Sequence, residues 1–169
     1  MPADLRIDQV PFTHDDARLL NEDVQAEYVV RYGTPDQTEM DATEFEAPAG
    51  AFYVGYRDGE PVTMGGWRFR PDVERLGSAH AVEVKRMYVA PSARRGGLAR
   101  LMLAHLEATA RTAGADVIVL ETGTAQPEAM ALYESAGYQR IENFGYYRRH
   151  PDNRCYGRVL GADEVQSVP

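Results

Sequence analysis

The sequence has 169 residues, of which 26 are acidic and 18 are basic, for a formal net charge of −8. A chain this acidic excludes nucleic acid as a general partner, because binding a phosphate polymer needs Lys and Arg spread over a broad face. The apolar share of 44% is ordinary for a globular protein, and the length is enough for one domain with a buried core. A single domain over residues 1–169 is predicted.

Three further features of the sequence bear on the cellular compartment. Cys155 is the only cysteine of the sequence, so an intrachain disulfide is excluded and a reducing compartment is favoured. No apolar run approaches the ~20 residues that span a bilayer, and no membrane association is expected. Asp4, Arg6 and Asp8 stand where a signal peptide would need an apolar core. We therefore expect a cytoplasmic protein.

The first fifty residues predict a strand, a helix and an acidic segment. A strand over 5–12 precedes a helix that starts near Thr13 and Asp16 and ends at Gly33. One face of this helix carries Ala17, Leu20, Val24, Tyr28 and Arg31. Residues 34–49 contain five acids. They form either a solvated loop or short helix, or a flexible acidic wall over a substrate cleft. The second alternative favours a cationic or amine-bearing acceptor.

A hairpin and a central strand follow. Strands over 51–57 and 62–70 flank Asp58-Gly59, a pair typical of two-residue hairpin turns. Gly65 and Gly66 in the second arm indicate a bulge or close backbone packing. A polar loop over 71–79 leads into a strand over 82–89, which is rich in β-branched and aromatic residues and ends at Pro91.

The stretch after this strand is a basic glycine turn that opens a helix. Gly96 and Gly97 allow the backbone to bend sharply, and the free N–H groups of the first helical turn favour a phosphate or pyrophosphate. The apolar stripe of the helix is predicted to be Leu98, Leu101, Met102, His105 and Leu106. The turn alone also fits a strand-to-helix connection that binds nothing, and it lacks the pattern of a P-loop or of a dinucleotide fingerprint.

The last third of the sequence predicts a buried strand over 117–120, a helix from Gln126-Pro127 to Gly137, and two closing strands over 138–147 and 155–160. The tail after Gly161 is expected to be frayed.

Two motifs resemble one known family. Arg94-x-x-Gly97-x-Ala99, after a Met-Tyr-Val strand, is similar to the acetyl-CoA signature of the GNAT superfamily of N-acetyltransferases, and Ala99 stands where Gly is commonest. Gln126-x-x-Ala129-x-x-x-Tyr133-x-x-x-Gly137-Tyr138 resembles the second family motif, in which Asn is usual at its first position. The clear resemblance covers residues 50–160.

The resemblance implies both a fold and a co-substrate. The fold would be α/β (α+β), with a GNAT-type mixed, mostly antiparallel central sheet flanked by helices. Acetyl-CoA would bind through the turn residues Arg94, Arg95, Gly96, Gly97, Leu98, Ala99 and Arg100, through the backbone of Met87 and Val89, and through Gln126. The acidic 34–49 segment falls in the region that usually shapes the acceptor site of this family.

Two side chains are candidates for acid–base catalysis. Strict alternation along the central strand puts Glu83 on one face with Met87 and Val89, and some GNAT members carry a catalytic glutamate at this offset, so Glu83 is the candidate general base. A strand glutamate paired with Lys85 or Arg86 is the alternative. Tyr133 matches the tyrosine that protonates the leaving thiolate in many members. A packed core tyrosine, in a stripe with Ala129, Leu132 and Ala136, is the alternative.

The predicted function is acetyl transfer from acetyl-CoA to a primary amine of a small molecule, peptide or protein, by direct attack in a ternary complex. The alternative is a non-catalytic acyl-CoA-binding or sensor module on the same fold. No metal is predicted, because His14, His80, His105 and His150 are scattered without metal-ligand spacing. Either a monomer or a homodimer is compatible with the sequence. A catalytic Cys155 is disfavoured by the lack of a nearby histidine in the sequence.

Overall fold

A computed structural model describes residues 4–161, which form seven β-strands and three α-helices. In chain order these are β1 Arg6–Gln9, α1 Asp15–Tyr32, β2 Gly50–Arg57, β3 Glu60–Phe69, β4 Ala81–Val89, α2 Leu98–Thr112, β5 Val117–Gly123, α3 Pro127–Ser135, β6 Gln139–Ile141 and β7 Asn153–Val159. The sheet order is β1-β2-β3-β4-β5-β7-β6. β4 pairs with β5 in parallel, and the pairs β1–β2, β2–β3, β5–β7 and β6–β7 are antiparallel. The predicted fold class is confirmed.

The contacts of the chain group into two compact units. The first unit contains the chain up to Arg68 together with Val84–Leu106, and the second contains Phe69–Glu83 together with the chain from Glu107 onward. β4 and α2 each contribute residues to both units. Each unit is described by itself below.

Helix α1 lies in the first unit and has well-defined ends. His14, and not the predicted Thr13, caps its start, because His14 Nδ1 accepts a hydrogen bond from the N–H of Asp16 at 3.1 Å. Gly33 ends it as predicted, with a φ of 83° that the missing Cβ makes inexpensive. The predicted face is buried at Ala17, Leu20 and Val24, which pack in one core with Phe45, Phe52, Val54, Tyr56, Met64 and Tyr88.

The hairpin of β2 and β3 has the predicted turn. Asp58 and Gly59 both have positive φ angles, 53° and 79°, which suits the right-handed twist of the two strands. Gly66 packs closely against β2, because a Cβ there would lie 2.5 Å from a ring carbon of Phe52. The irregularity in strand register falls between Gly55 and Tyr56 on β2 rather than at Gly65 and Gly66.

Helix α2 buries a face that differs from the predicted stripe. Leu98, Met102 and Leu106 are buried as expected, but Leu101 is 36% exposed and Leu103 is 1% exposed. Both positions are leucine, so the spacing of apolar residues alone could not predict which of the two side chains is buried.

The second unit contains a core of Val73, Ala81, Val117, Val119, Phe144 and Cys155. Residues 117–120 form the predicted buried strand, and α3 starts after Gln126. The closing strands differ from the prediction: β6 has only 3 residues, and β7 begins at Asn153. Turns occupy most of the interval, and the Asn153 side chain donates to the carbonyl of Tyr147 within it. The tail expected to fray beyond Gly161 lies outside the described residues.

Candidate active site

The turn between β4 and α2 has the backbone geometry of an anion site. Arg95 and Gly97 have positive φ angles of 70° and 79°. Gly97 accepts the first helical hydrogen bond, from the N–H of Leu101 at 3.1 Å. The N–H groups of Gly97, Leu98 and Ala99 donate to no acceptor within residues 4–161. Because N–H groups at a helix N-terminus carry the positive end of the helix dipole, this turn favours a negatively charged group.

The side chains of the turn leave its backbone accessible. Arg95, Gly96, Gly97 and Arg100 are all exposed. A Cβ at Gly97 would meet nothing within 4 Å, so the requirement for glycine there comes from its backbone angle. Two exposed cations therefore stand beside three unbonded N–H groups.

Arg94 is exposed, but contacts with two other elements hold its side chain in place. Its Nε donates to the carbonyl of Val89 at 2.9 Å, and its Nη2 donates to Glu27 of α1 at 2.7 Å. Its guanidinium also lies 5.6 Å from the ring centroid of Tyr88. These contacts tie the turn to β4 and α1, so Arg94 positions the turn, while Arg95 and Arg100 are exposed at its surface.

Met87 and Val89 have packed side chains. Met87 lies near Gly65, on the side of the sheet where Met102 and Leu106 of α2 pack. Val89 packs against a small core of Val62, Ala93 and Leu98. Their proposed contacts with acetyl-CoA concern the backbone and stay a prediction.

The alternation of β4 is interrupted at Arg86. Its φ is 58°, a left-handed value that costs a residue with a Cβ roughly 1–2 kcal/mol. Lys85 Nζ and Arg86 Nη2 lie 3.4 and 3.5 Å from the same oxygen of Asp36, so two consecutive side chains point to one face. Tyr88 packs in the α1 core whereas Met87 faces α2. We call this feature the Arg86 bulge. The strict alternation used to align Glu83 with Met87 and Val89 therefore does not hold.

Asp36 is anchored from several sides. Its backbone N–H donates to Gln25 Oε1 at 2.8 Å, and its carbonyl accepts from Gln25 Nε2 at 3.3 Å. Burial pushes the pKa of its carboxyl group up, but Lys85 and the N–H of Thr38 outweigh this effect and lower the pKa below its usual value. The Asp36 carboxylate is therefore held ionised against the two cations.

The acidic 34–49 segment contains a short helix, and two of its acids pair with cations of the chain. Residues 42–45 form a short 3-10 helix, as one alternative predicted, and Asp41 caps it through the N–H of Thr43. Glu44 accepts a 2.8 Å hydrogen bond from the buried Arg68. Because Asp36 and Glu44 both face cations of the chain, the negative charge of this segment is partly neutralised from within.

Glu83 lies in the second unit and is paired with Arg70. The residue is 2% exposed, and its Oε1 lies 2.6 Å from Arg70 Nη1. Arg70 also donates two hydrogen bonds of 2.9 Å to Asp72, and these bonds, with Glu83, raise the pKa of Arg70 above its usual range. Arg70 was not linked to Glu83 in the sequence, since 13 positions separate them and only the fold of the 70–80 loop brings them together.

Tyr133 is buried in the second unit. Its ring contacts Tyr138 and Tyr156, with centroids 5.8 and 6.1 Å away, and burial raises the pKa of its hydroxyl group. The hydroxyl group makes no hydrogen bond within residues 4–161. Tyr138 and Tyr156 differ, because their hydroxyl groups donate to Glu107 and Glu134 at 2.7 Å. Both sequence interpretations of Tyr133 are thus compatible with its position.

Gln126 occupies the N-cap position of α3. Its side chain does not cap the helix, while its carbonyl accepts the N–H groups of Ala129 and Met130 at 3.1 and 3.2 Å. The amide group is therefore not committed to the start of its own helix.

Other reactive side chains lie in less reactive settings. Burial raises the pKa of the Cys155 thiol to about 11, which disfavours a thiolate nucleophile. His105 packs edge-to-face on Tyr53 with centroids 4.5 Å apart, and burial lowers its pKa. In the described residues no group of His, Cys, Asp and Glu could hold a metal ion, and none of the helices found there is long and apolar enough to cross a membrane.

The predicted site residues are divided between the two units. Met87, Val89 and the 94–100 turn belong to the first, and Glu83, Gln126 and Tyr133 belong to the second. The sequence missed the contacts of Arg70, Lys85, Arg86 and Asp36. The one available signal was the adjacent pair of cations in a mostly apolar strand.

Comparison with known proteins gives one family and one fold. The model of the acetyltransferase (GNAT) family matches residues 18–138. An IAA acetyltransferase of Azospirillum brasilense is 44% identical over 69 residues, which are 41% of this chain and 45% of that protein. The chain thus matches less than half the length of this curated relative.

Three solved structures have a similar fold. A protein of Klebsiella pneumoniae named for acyl-CoA N-acyltransfer has a TM-score of 0.75 at 24% identity, with 93% of this chain and 98% of that chain covered. A GNAT acetyltransferase of Staphylococcus aureus has a TM-score of 0.69 at 16% identity, with 93% and 99% covered. An IAA acetyltransferase of Bacillus cereus has a TM-score of 0.61 at 19% identity, with 92% and 99% covered. At these identities the likeness concerns the fold alone.

Proposed function

The chain belongs to the acetyltransferase (GNAT) family, and from this premise we propose that it transfers an acetyl group from acetyl-CoA to a primary amine of a small molecule or peptide. The N-terminal turn of α2 carries this proposal. The unbonded N–H groups of Gly97, Leu98 and Ala99 lie beside exposed arginines. A pyrophosphate has the charge and the acceptor oxygens that such a turn binds.

Acetyl transfer also needs proton transfer on both sides of the reaction. The amine nitrogen attacks the thioester carbonyl, a C–N bond forms, and the C–S bond breaks. An acceptor ammonium must first lose a proton, and the departing thiolate must gain one or be stabilised by a hydrogen bond. In the proposed mechanism the Glu83 carboxylate takes the proton of the amine, directly or through water, and the Tyr133 hydroxyl group donates to the thiolate.

The environments of the two residues support these roles to different degrees. Arg70 orients the buried carboxylate of Glu83, but it also occupies one carboxylate oxygen. Tyr133 keeps its proton because burial raises its pKa. A raised pKa makes full proton transfer to a thiolate costlier, so hydrogen-bond donation is the better-supported form of its role.

The acceptor is proposed as a class. The curated relative is named for IAA acetylation, and the match covers 45% of that protein. The acceptor proposed for this chain is defined by its primary amine and by a size that suits a small molecule or a peptide end.

Two measurements test the proposal. Calorimetry should detect acetyl-CoA binding, and a thiol assay should detect CoA release that depends on an added amine. Binding without release over a broad amine panel would favour the non-catalytic acyl-CoA-binding module. Absence of acetyl-CoA binding would overturn both functions.

A further inference from the structure

We propose that Lys85 and Arg86 form a carboxylate-binding subsite for the acceptor, so that the acceptor is an amine that also carries a carboxylate group. This inference rests on the proposed function, because it concerns the acceptor of that same reaction. It is carried by the Arg86 bulge in the first unit and by the charges around it.

The backbone brings the two cations together at a cost. In a regular strand, residues 85 and 86 would point to opposite faces. The left-handed φ of Arg86, 58°, puts both side chains on the face where Asp36 lies. Gly or Asn would adopt this conformation more readily than Arg. Strained backbone of this kind tends to occur where a side chain is needed for function.

The charges of the cluster do not balance. Lys85 and Arg86 are 9% and 8% exposed at their side chains, and Asp36 is 12% exposed. Within residues 4–161, Asp36 supplies the only carboxylate in ion-pair range of either cation. Two largely buried positive charges thus share one negative charge. Burying a surplus charge is costly unless a further anion compensates it.

The donors of Arg86 are only partly used. Its Nη1 donates to Asn21 Oδ1 at 2.9 Å. Its Nη2 lies 3.5 Å from Asp36, longer than the 2.7–2.9 Å typical of charge-assisted bonds. Its Nε is buried and has no partner in the described part of the chain. The Nε–Nη2 edge of the guanidinium therefore has the capacity for a bidentate anion.

The shape of this edge selects a carboxylate. Two parallel N–H groups match the two oxygens of a planar carboxylate, and Lys85 adds a point charge beside them. Arg86 precedes Val89 by three positions, which is roughly 10 Å along a strand. A carboxylate at Arg86 and an amine near the backbone of Val89, where acetyl-CoA is expected to bind, would thus fit one small molecule or the end of a short peptide.

Binding without catalysis is the first test. Glycine, β-alanine and γ-aminobutyrate are each compared with their amides by calorimetry, with inorganic phosphate as a third probe. We expect at least one acid to bind about tenfold more tightly than its amide, as a charge-assisted pair allows. Equal binding of all acids and amides, or stronger binding of phosphate than of every acid, would overturn the subsite.

Variants then assign the preference to the cations. Arg86→Asn suits the left-handed backbone and preserves the fold, and the acid-to-amide affinity ratio should fall to near one. Lys85→Met retains the aliphatic stem and should lower the ratio several-fold. Arg68→Asn is the matched control, since it removes another buried arginine, paired with Glu44, in the same unit. If Arg68→Asn lowers the ratio as much as Arg86→Asn does, the preference is a general effect of charge and the subsite is wrong.

Kinetics separate this proposal from the proposed function. If acids bind selectively and CoA release follows with the same selectivity in kcat/KM, both hold. A second outcome is selective binding of acids without any amine-dependent CoA release. That result would overturn both the proposed acetyl transfer and the acceptor subsite, and Lys85 and Arg86 would then form a carboxylate site with another role. If amines are acetylated without preference for acids, the proposed function stands and this inference falls.

Discussion

The Nη1 of Arg70 lies 2.6 Å from Oε1 of Glu83, whose side chain is 2% exposed. An ion pair buried to this extent gives little net stability, but removing one partner leaves a charge without compensation. The pair therefore fixes the Glu83 carboxylate in one orientation. The general-base role proposed for Glu83 needs such a fixed orientation.

We expect Glu83→Gln to lower kcat by about 10²–10⁴, with acetyl-CoA affinity nearly unchanged. The amide keeps the shape and accepts from Arg70, but it cannot take a proton. Activity should recover in part at high pH, where solvent supplies free amine. Steady-state kinetics between pH 6 and 9 check this, with Glu44→Gln as the control for loss of an arginine-paired carboxylate. Wild-type kcat across that range would remove Glu83 from the mechanism.

Replacing Arg70 should reveal the cost of removing a guanidinium group from a buried carboxylate. In Arg70→Met the buried Glu83 loses its described guanidinium partner, and the free energy of unfolding should fall by about 3–5 kcal/mol. The double variant Arg70→Met with Glu83→Gln should regain part of this loss, because the neutral amide at position 83 needs no guanidinium to compensate a buried charge. Urea denaturation of both variants measures the difference. A double variant less stable than Arg70→Met would contradict the argument.

Gly97→Ala should weaken acetyl-CoA binding by more than tenfold, which is about 1.4 kcal/mol. An added Cβ meets no atom within 4 Å, so the effect comes from the φ of 79° and from the resulting shift of the unbonded N–H groups. Gly77→Ala is a matched control in the 71–79 loop, with a φ of 83° and equally open surroundings. Calorimetry should give wild-type affinity for this control. Equal effects of the two substitutions would place the pyrophosphate elsewhere.

Tyr133→Phe should lower kcat with little change in stability. The ring contacts with Tyr138 and Tyr156 are retained, and the lost hydroxyl group has no hydrogen bond within residues 4–161. Tyr138→Phe should instead destabilise the fold by about 1–3 kcal/mol with little change in kcat, because it removes the 2.7 Å hydrogen bond to the buried Glu107. Thermal unfolding and kinetics of both variants decide. A Tyr133→Phe enzyme with full kcat would identify Tyr133 as a packing residue.

Asp36 should make stability depend on pH in the acid range. Burial raises its pKa, but Lys85 and Thr38 lower it further than burial raises it, so the folded value lies below the reference of 3.8. A lowered folded pKa gives stability that is fully present above the unfolded pKa and is lost as pH falls through the folded pKa. Unfolding free energy should therefore drop below about pH 4 more steeply in the wild type than in Asp36→Asn. Parallel curves of unfolding free energy against pH for the two proteins would contradict this expectation. Asp58→Asn, in the exposed hairpin turn, is the control for the loss of one negative charge.

Local chemistry made much of the fold predictable. The end of α1 and the hairpin turn both require positive φ angles, which few residues adopt readily. Gly33 and the Asp58-Gly59 pair could therefore be recognised there from the sequence. The buried residues 117–120 are apolar throughout, as a strand covered on both faces requires. The turn before α2 was predicted from its glycines, and the motifs around it indicated the family that the comparison confirms.

The remaining errors come from contacts between distant residues. Leu101 and Leu103 are equally apolar, and only the packing of α2 makes one exposed and the other buried. Arg86 adopts a left-handed angle without being Gly or Asn, so its sequence carries no bulge signal and alternation failed there. Arg94 belongs to a motif associated with acetyl-CoA, yet Glu27 and the carbonyl of Val89 engage its side chain.

The Arg86 bulge also constrains how this strand can vary in length. The left-handed angle at Arg86 puts the strand out of phase beyond that residue, and Tyr88 accordingly lies in the α1 core while Met87 faces α2. Deleting one residue here would exchange these two environments and would carry the reversal into the turn before α2. The fold can therefore accept a substitution at position 86, with Gly or Asn the least strained. A deletion there would disrupt the packing of the strand against both the α1 core and α2.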